Sequence, residues 1–346
     1  MKLTFVVNDV QTEDETYTTI RLARRAAERG HEVALTSLVD STYEPDGSLS
    51  ALASRPQRTD HQDDASILAD LKDAAPEQIT LTDQDVIILR SDPAAELESR
   101  PWAPNSGLLF AQLAAEAGVI VLNDPRHLTD ASNKTYFQHF PEAIRPRTCI
   151  TRDPERIKAF IEAEGGRGVI KPLQGSGGQG VFVVKEGAGA NLNVMIEATT
   201  RDGYAIVQEY LPLAAEGDLR LITLNGKPLK VGDTYACFRR YNDSGDARSN
   251  FTAGGKIKME QPDEDALRLA EICGPKLIAD GMYLAGLDIV GDKMMEINVD
   301  TPGGIREAEE LTGVDFCGAV IEDLERKVGL RDHYGRRFSN REIAMA

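Results

Sequence analysis

At 346 residues the chain is too long for one compact core, so two or three domains are expected. Hydrophobic residues make up 41% and charged residues 27%, an ordinary globular balance, and no apolar run approaches the roughly 20 residues of a membrane span. The formal charge of −17 argues against a nucleic-acid partner and requires that any anionic substrate be met by a local basic cluster.

The stretch Met1-Lys2-Leu3-Thr4-Phe5-Val6-Val7 has too short an apolar reach for a signal peptide and reads as a first strand, making a cytoplasmic location the default. A helix follows, stopped at Gly30, and then a second strand, an α/β opening that implies a parallel sheet. Residues 41–77, rich in Asp, Ser, Pro and Ala, read as a mobile insertion or an exposed helix. A buried strand over 85–90, a helix over 106–118 closed by Gly118 and a strand over 119–123 complete a first domain, 1–122, with Pro125 marking the break. From Asp130 a helix carries Lys134. Strands and a helix fill a small α+β unit, 123–204, and the apolar strand 204–212 enters a last unit, 205–330. That unit holds an Asn225-Gly226 hairpin, a helix near 263–280 and a second hairpin over 285–300. The basic tail 331–346 is left either disordered or packed on a subunit neighbour. Cys149, Cys237, Cys273 and Cys317 lie far apart without C-x-x-C spacing and read as reduced core or strand residues.

Two stretches carry chemistry. In "VIKPLQGSGGQGVFVV", residues 169–184, Gly175, Gly177 and Gly180 satisfy G-x-G-x-x-G, but four β-formers follow where a dinucleotide-binding turn needs a helix. The segment is a glycine flap between two strands, with Lys171 on the entering one: backbone N–H groups and a full charge are aimed at phosphates. In "AGLDIVGDKMMEINVD", Glu296 and Asn298 share a strand face. A two-residue turn, Gly291-Asp292, would put Asp288 on the opposite face, whereas a three-residue loop, Gly291 to Lys293, sets it across from Glu296. The three-residue loop is favoured because it gathers Asp288, Glu296 and Asn298 into a cluster of hard oxygens suited to Mg²⁺.

The order of these pieces, with "LRSDP", "SNKTYF", "QEYLP", "GDLRLI", "NFTAGGK" and "GIREAE", resembles the ATP-grasp superfamily, and within it the bacterial glutathione synthetases, over nearly the whole chain. The resemblance implies an α/β protein with a parallel-sheet N-terminal domain, a small α+β lid and a C-terminal antiparallel-sheet domain. It implies an ATP-dependent ligase that joins γ-glutamylcysteine to glycine through an acyl phosphate, and a homo-oligomer. Lys134, Lys171, Gly175, Ser176, Gly177 and Gly178 would meet the nucleotide phosphates, Gln208, Glu209, Tyr210 and Leu211 the adenine, and Asp218 the ribose. Asp288, Glu296 and Asn298 would bind two Mg²⁺, with Mn²⁺ an alternative. Arg220, Arg240 and Arg248 would bind the peptide substrate and stabilise the intermediate, with Asn250, Thr301, Gly303 and Gly304 also at the substrates. At 301–304 the chain departs from the Ser-Pro-Thr-Cys-like stretch of that family, leaving the acceptor amine open. A different acid or amine, or a non-catalytic ATP-binding module, are the alternatives.

Overall fold

The computed structural model describes residues 1–96, 98–131, 133–175, 180–187, 189–242 and 255–346. The chain opens with β1 (Lys2–Val7), α1 (Thr18–Glu28), β2 (Glu32–Tyr43), β3 (Leu49–Ser54), α2 (Asp64–Asp73), β4 (Glu77–Thr80), β5 (Val86–Leu89), α3 (Ala103–Ala117) and β6 (Ile120–Leu122). They form a six-stranded sheet, β4-β3-β2-β1-β5-β6, in which β2, β1, β5 and β6 run parallel. Gly118, at φ 103°, ends α3 where a side chain would be strained. Residues 41–77 are neither an insertion loop nor a wholly exposed helix. β3 pairs antiparallel with β2, and α2 is capped by Asp63 and Ser66 and buries Ile67, Leu68 and Leu71. Those three apolar residues, spaced for one helix face, outweigh the polar composition around them.

A short α4 (Pro125–Asp130) ends before Lys134, which opens a 3₁₀ turn, Lys134–His139, capped by Asn133. The helix expected to run from Asp130 and carry Lys134 is thus replaced by this 3₁₀ turn, α4 having ended at Asp130. The lid comprises β7 (Thr148–Thr151), α5 (Pro154–Ala163), β8 (Gly168–Pro172), β9 (Phe182–Val184), α6 (Gly189–Thr200) and β10 (Ala205–Gln208), with sheet order β7-β10-β8-β9. The strand at 205–208, expected to open the last unit, instead pairs on both edges inside the lid, so the chain leaves the lid after Gln208. Buried Ala205, Ile206 and Val207 explain this: a strand apolar on both faces takes a central place.

The rest comprises β11 (Asp218–Leu224), β12 (Lys227–Pro228), β13 (Lys230–Val231), β14 (Thr234–Tyr235), β15 (Cys237–Tyr241), β16 (Lys256–Met259), α7 (Glu264–Ala279), β17 (Leu284–Val290), β18 (Lys293–Asn298), α8 (Ile305–Thr312), α9 (Phe316–Tyr334) and α10 (Asn340–Met345). Its main sheet runs β16-β15-β11-β17-β18. Asn225 at φ 53° and Gly226 at φ 71° make the β11–β12 turn foreseen from their sequence. The tail is ordered against its own chain: α9 runs on to Tyr334, and Asn340 in α10 hydrogen-bonds Val121 N and O at 2.8 Å each, back on the N-terminal sheet. Asn123 likewise ties β6 to the C-terminal unit, donating to Leu284 O and Val299 O and accepting from Leu284 N. The N- and C-terminal units share two apolar cores, one joining Leu89 and Val121 to Leu221 and Leu287, the other Phe5 to Tyr283 and Phe316. The lid has a separate one. Cys237, Cys273 and Cys317 are buried, Cys149 is half-buried, and all four are free thiols. Among the described residues no helix is long and apolar enough to cross a membrane.

Candidate active site

A cavity of about 530 Å³ lies where the lid, the 3₁₀ turn and the C-terminal sheet meet. The lid side supplies Lys171 from β8, Gly175 beyond it, and the exit from β10: Gln208, Glu209, Tyr210 and Leu211. Gln208 Nε2 donates to Thr148 Oγ1 at 3.0 Å, which fixes the strand end. Lys134 enters from the 3₁₀ turn; its backbone N–H donates to Leu173 O, and its Nζ stands 3.4 Å from Glu296 Oε1. Loss of water around Lys171, with the Lys134 charge beside it, lowers its ammonium to about 8, against the pull of Glu296 and Asp288. Two lysines that repel one another in a cleft form a site that gains by receiving an anion.

The sheet side carries a dense charge network. Arg220 on β11 clasps Asp288 on β17, Nε to Oδ1 at 2.5 Å and Nη2 to Oδ2 at 3.1 Å. Arg240 on β15 reaches Asp288 Oδ2 at 2.9 Å and donates to Asp218 Oδ2 through Nε at 2.9 Å and Nη2 at 2.5 Å. The ladder sets these contacts, because Arg220 is paired with Asp288 and Asp218 with Arg240 in register. Burial alone would raise Asp288, but the guanidiniums of Arg220 and Arg240 outweigh it and hold the carboxyl below its ordinary range.

Asp288 stands opposite Glu296, as the sequence favoured, by a different route. The turn is the two-residue Gly291-Asp292, since Val290 pairs with Lys293; Ile289 then pairs with Met294 and Asp288 with Glu296, so a bulge at Met295 restores the alignment. Asn298 completes the face, its Nδ2 donating to Asp288 Oδ2 at 3.1 Å. Among the described residues no three His, Cys, Asp or Glu side chains gather as a metal site. Two carboxylates and an amide on one face nonetheless fit Mg²⁺, which takes one or two protein carboxylates and completes its shell with substrate phosphate and water.

Thr301 lines the cavity. Gly303 and Gly304 stand behind it: Gly303 O accepts from Arg220 Nη1 at 2.8 Å, and Gly304 opens α8 at φ 121°. Ser176, Gly177, Gly178, Arg248 and Asn250 lie outside the described residues. Arg220, expected at the substrate, lines the cavity, with Nε and Nη2 on Asp288 and Nη1 on Gly303 O, so it also braces the site's wall. Sequence reasoning assigned nothing to Asp92 and Asp300, both lining the cavity. Asp300 continues the alternation of Glu296 and Asn298, a signal that could have found it. Burial, with the Asp92 charge near it, raises its carboxyl to about 7. Arg90, buried behind them, was missed too.

Comparison with known proteins gives the family and the fold. The family described as "Prokaryotic glutathione synthetase, N-terminal domain" matches residues 1–129, and "Prokaryotic glutathione synthetase, ATP-grasp domain" matches 133–313. The glutathione synthetase of Vibrio parahaemolyticus is 34% identical over 254 residues, 73% of this chain and 76% of its own; that of Vibrio cholerae is 35% identical over 252 residues, 72% and 75%. Among solved structures, the D-cycloserine synthetase DcsG superposes with a TM-score of 0.64 at 14% identity, covering 93% of this chain and 99% of that one. At that identity the likeness speaks for the fold alone.

Proposed function

The chain belongs to the prokaryotic glutathione synthetase family and is an ATP-dependent ligase with the ATP-grasp fold, and on that premise we propose that it joins the carboxyl of γ-glutamylcysteine to the amine of glycine. The observation that carries this reading is the convergence, on one cavity, of two mutually repelling lysines and the Asp288–Glu296–Asn298 face. Lys134 and Lys171 bind the triphosphate of ATP, and the flap from Gly175, including Ser176, Gly177 and Gly178, closes over it. The backbone from Gln208 through Glu209 and Tyr210 to Leu211 meets the adenine, and Asp218 the ribose. Asp288, Glu296 and Asn298 hold Mg²⁺, two ions in this reading, whose charge would offset that of the phosphates.

The substrate carboxylate takes the γ-phosphoryl group of ATP; the amine then displaces phosphate and an amide remains. Such chemistry rests on positioning and fixed charge and needs no protein nucleophile. Arg240, held by Asp218 and Asp288, presents its guanidinium to the acid substrate together with Arg248, while Arg220 fixes Asp288 and the loop that carries Thr301, Gly303 and Gly304. Asn250 joins the peptide end. The same reading makes the protein a cytoplasmic homo-oligomer, which light scattering of the purified chain tests.

A second reading keeps the chemistry and changes the amine. The loop carries Thr301 on the cavity and glycines behind it, without the side chains of the family's Ser-Pro-Thr-Cys-like stretch, which leaves the acceptor amine open. Phosphate release from Mg-ATP with γ-glutamylcysteine and a panel of amines, with mass spectrometry of the product, decides. Amide formation with glycine bears out the first reading; turnover with another amine and none with glycine selects the second; no phosphate release with any pair overturns both.

A further inference from the structure

Two buried guanidiniums grip consecutive carbonyls of the loop between β18 and α8 from different units of the molecule. Arg220, from the C-terminal sheet, donates to Gly303 O at 2.8 Å. Arg90, just past β5 in the N-terminal sheet, donates through Nη2 to Pro302 O at 3.0 Å. Arg90 is 4% exposed, its Nε donates to Thr19 Oγ1 at 3.1 Å, and its backbone N–H is bound to Val6 O at 2.7 Å. Burial lowers its guanidinium to about 10, with Glu13 the leading opposing charge, so it stays cationic at neutral pH. A guanidinium this deep is costly unless its hydrogen bonds are made, and one of its acceptors is the loop.

The loop itself is poorly determined by its own sequence. It contains Gly303 and Gly304; the first has no neighbour for a Cβ, and the second sits at φ 121°. Glycines lose much conformational freedom on ordering, so a loop built on them follows the course its external contacts impose. Its other end, Asp300 and Thr301, lines the cavity. Holding Pro302 O therefore sets where Thr301 stands.

We infer that Arg90 is a positioning residue for the acceptor amine, pinning the 300–304 loop so that its cavity face meets the incoming nucleophile; this rests on the reading that the loop holds the acceptor. The nucleotide is held by other elements, the 3₁₀ turn, β8 and the exit from β10. Loss of Arg90 thus separates the two substrates kinetically, which a general loosening of the fold would not do.

The test uses the full chain as Arg90→Met and Arg90→Lys. In Arg90→Met, loss of a charge-assisted hydrogen bond raises KM for glycine roughly tenfold or more while KM for ATP stays within about twofold. Arg90→Lys recovers part of the loss, because an ammonium reaches Pro302 O without also spanning to Thr19. Hydrogen exchange read by mass spectrometry, without substrates, shows the amides of residues 299–301, 303 and 304 opening about tenfold faster in Arg90→Met and those of β10 unchanged. Equal rises in both KM values, an unchanged KM for glycine, or unchanged exchange in the loop of a folded variant overturns the inference. Should Arg90→Met not fold, Arg90→Lys carries the same measurements. A wild-type chain inactive with glycine but active with another amine moves the KM comparison to that amine; one inactive with every amine would sink the acceptor reading, and the loop exchange would still decide whether Arg90 holds the loop.

Discussion

The two walls of the cavity are built on opposite principles. The sheet wall rests on cores shared with the N-terminal unit, and its working groups are locked to each other: Asp288 is held by Arg220, Arg240 and Asn298. The lid wall rests, among the described residues, on a cluster of seven buried side chains centred on Ile157, Ile170 and Val207, and its cations lack a comparable lock, Lys134 having one carboxylate at 3.4 Å. A fixed wall can define where charge develops, while a thinly supported one can open for substrates and close again. The difference teaches that the catalytic face and the nucleotide-covering face have separate stabilities, which can be measured separately.

The sharpest way to break that contrast is Asp288→Ala beside Glu296→Ala. Removing Asp288 leaves Arg220 and Arg240 without their common carboxylate in a buried place, so global stability should fall by about 3–5 kcal/mol in denaturant unfolding. Glu296, half-buried and, among the described residues, in one loose ion pair with Lys134, should cost less than about 1 kcal/mol. Both variants should lose phosphate release. Equal destabilisation by the two would erase the distinction between a structural and a purely chemical carboxylate.

Ile170→Ala tests the lid in the same way. Ile170 is fully buried, and its truncation should cost about 2–5 kcal/mol. The loss should appear as faster exchange and proteolysis within 148–208, with β11 and β17 protected as before. A uniform loss across all three units would show that the lid is no separate body.

The smallest effect is one of pH. Folding lowers Lys171 from its ordinary 10.5 to about 8, so between those values the unfolded chain binds more protons and stability rises with pH; below about 8 the folded chain bears the cost of the buried charge. Phosphate affinity runs the other way. Nucleotide binding by the free protein, followed calorimetrically, should weaken as pH rises through about 8, and Lys171→Arg should flatten that dependence.

What the sequence made legible followed from local chemistry. Gly118 stopped a helix, Asn225-Gly226 made a hairpin, and Glu296 and Asn298 shared a face because strand alternation requires it. Non-local facts were harder. The bulge at Met295 is a compromise between a tight turn and an alignment enforced by neighbouring strands, and no residue in the hairpin announces it. The place of 205–208 depended on two strands whose paired residues lie 54–60 and 33–39 positions upstream, Thr148–Thr151 and Gly168–Pro172, which claim both its edges. Arg90 closes an apolar strand and reads there as an edge residue, because its partners, Thr19 and Pro302, come from remote parts of the chain.

The hold of Asn340 on Val121 has a consequence for association. β6 is the border of the N-terminal sheet, and Ile120 N already turns inward to Asp85 O. Without Asn340, Val121 would leave a donor and an acceptor open at this border, the template on which a foreign strand could be added. One carboxamide answers both groups, doing for three residues of border what a further strand would do, so the tail seals the sheet against runaway growth.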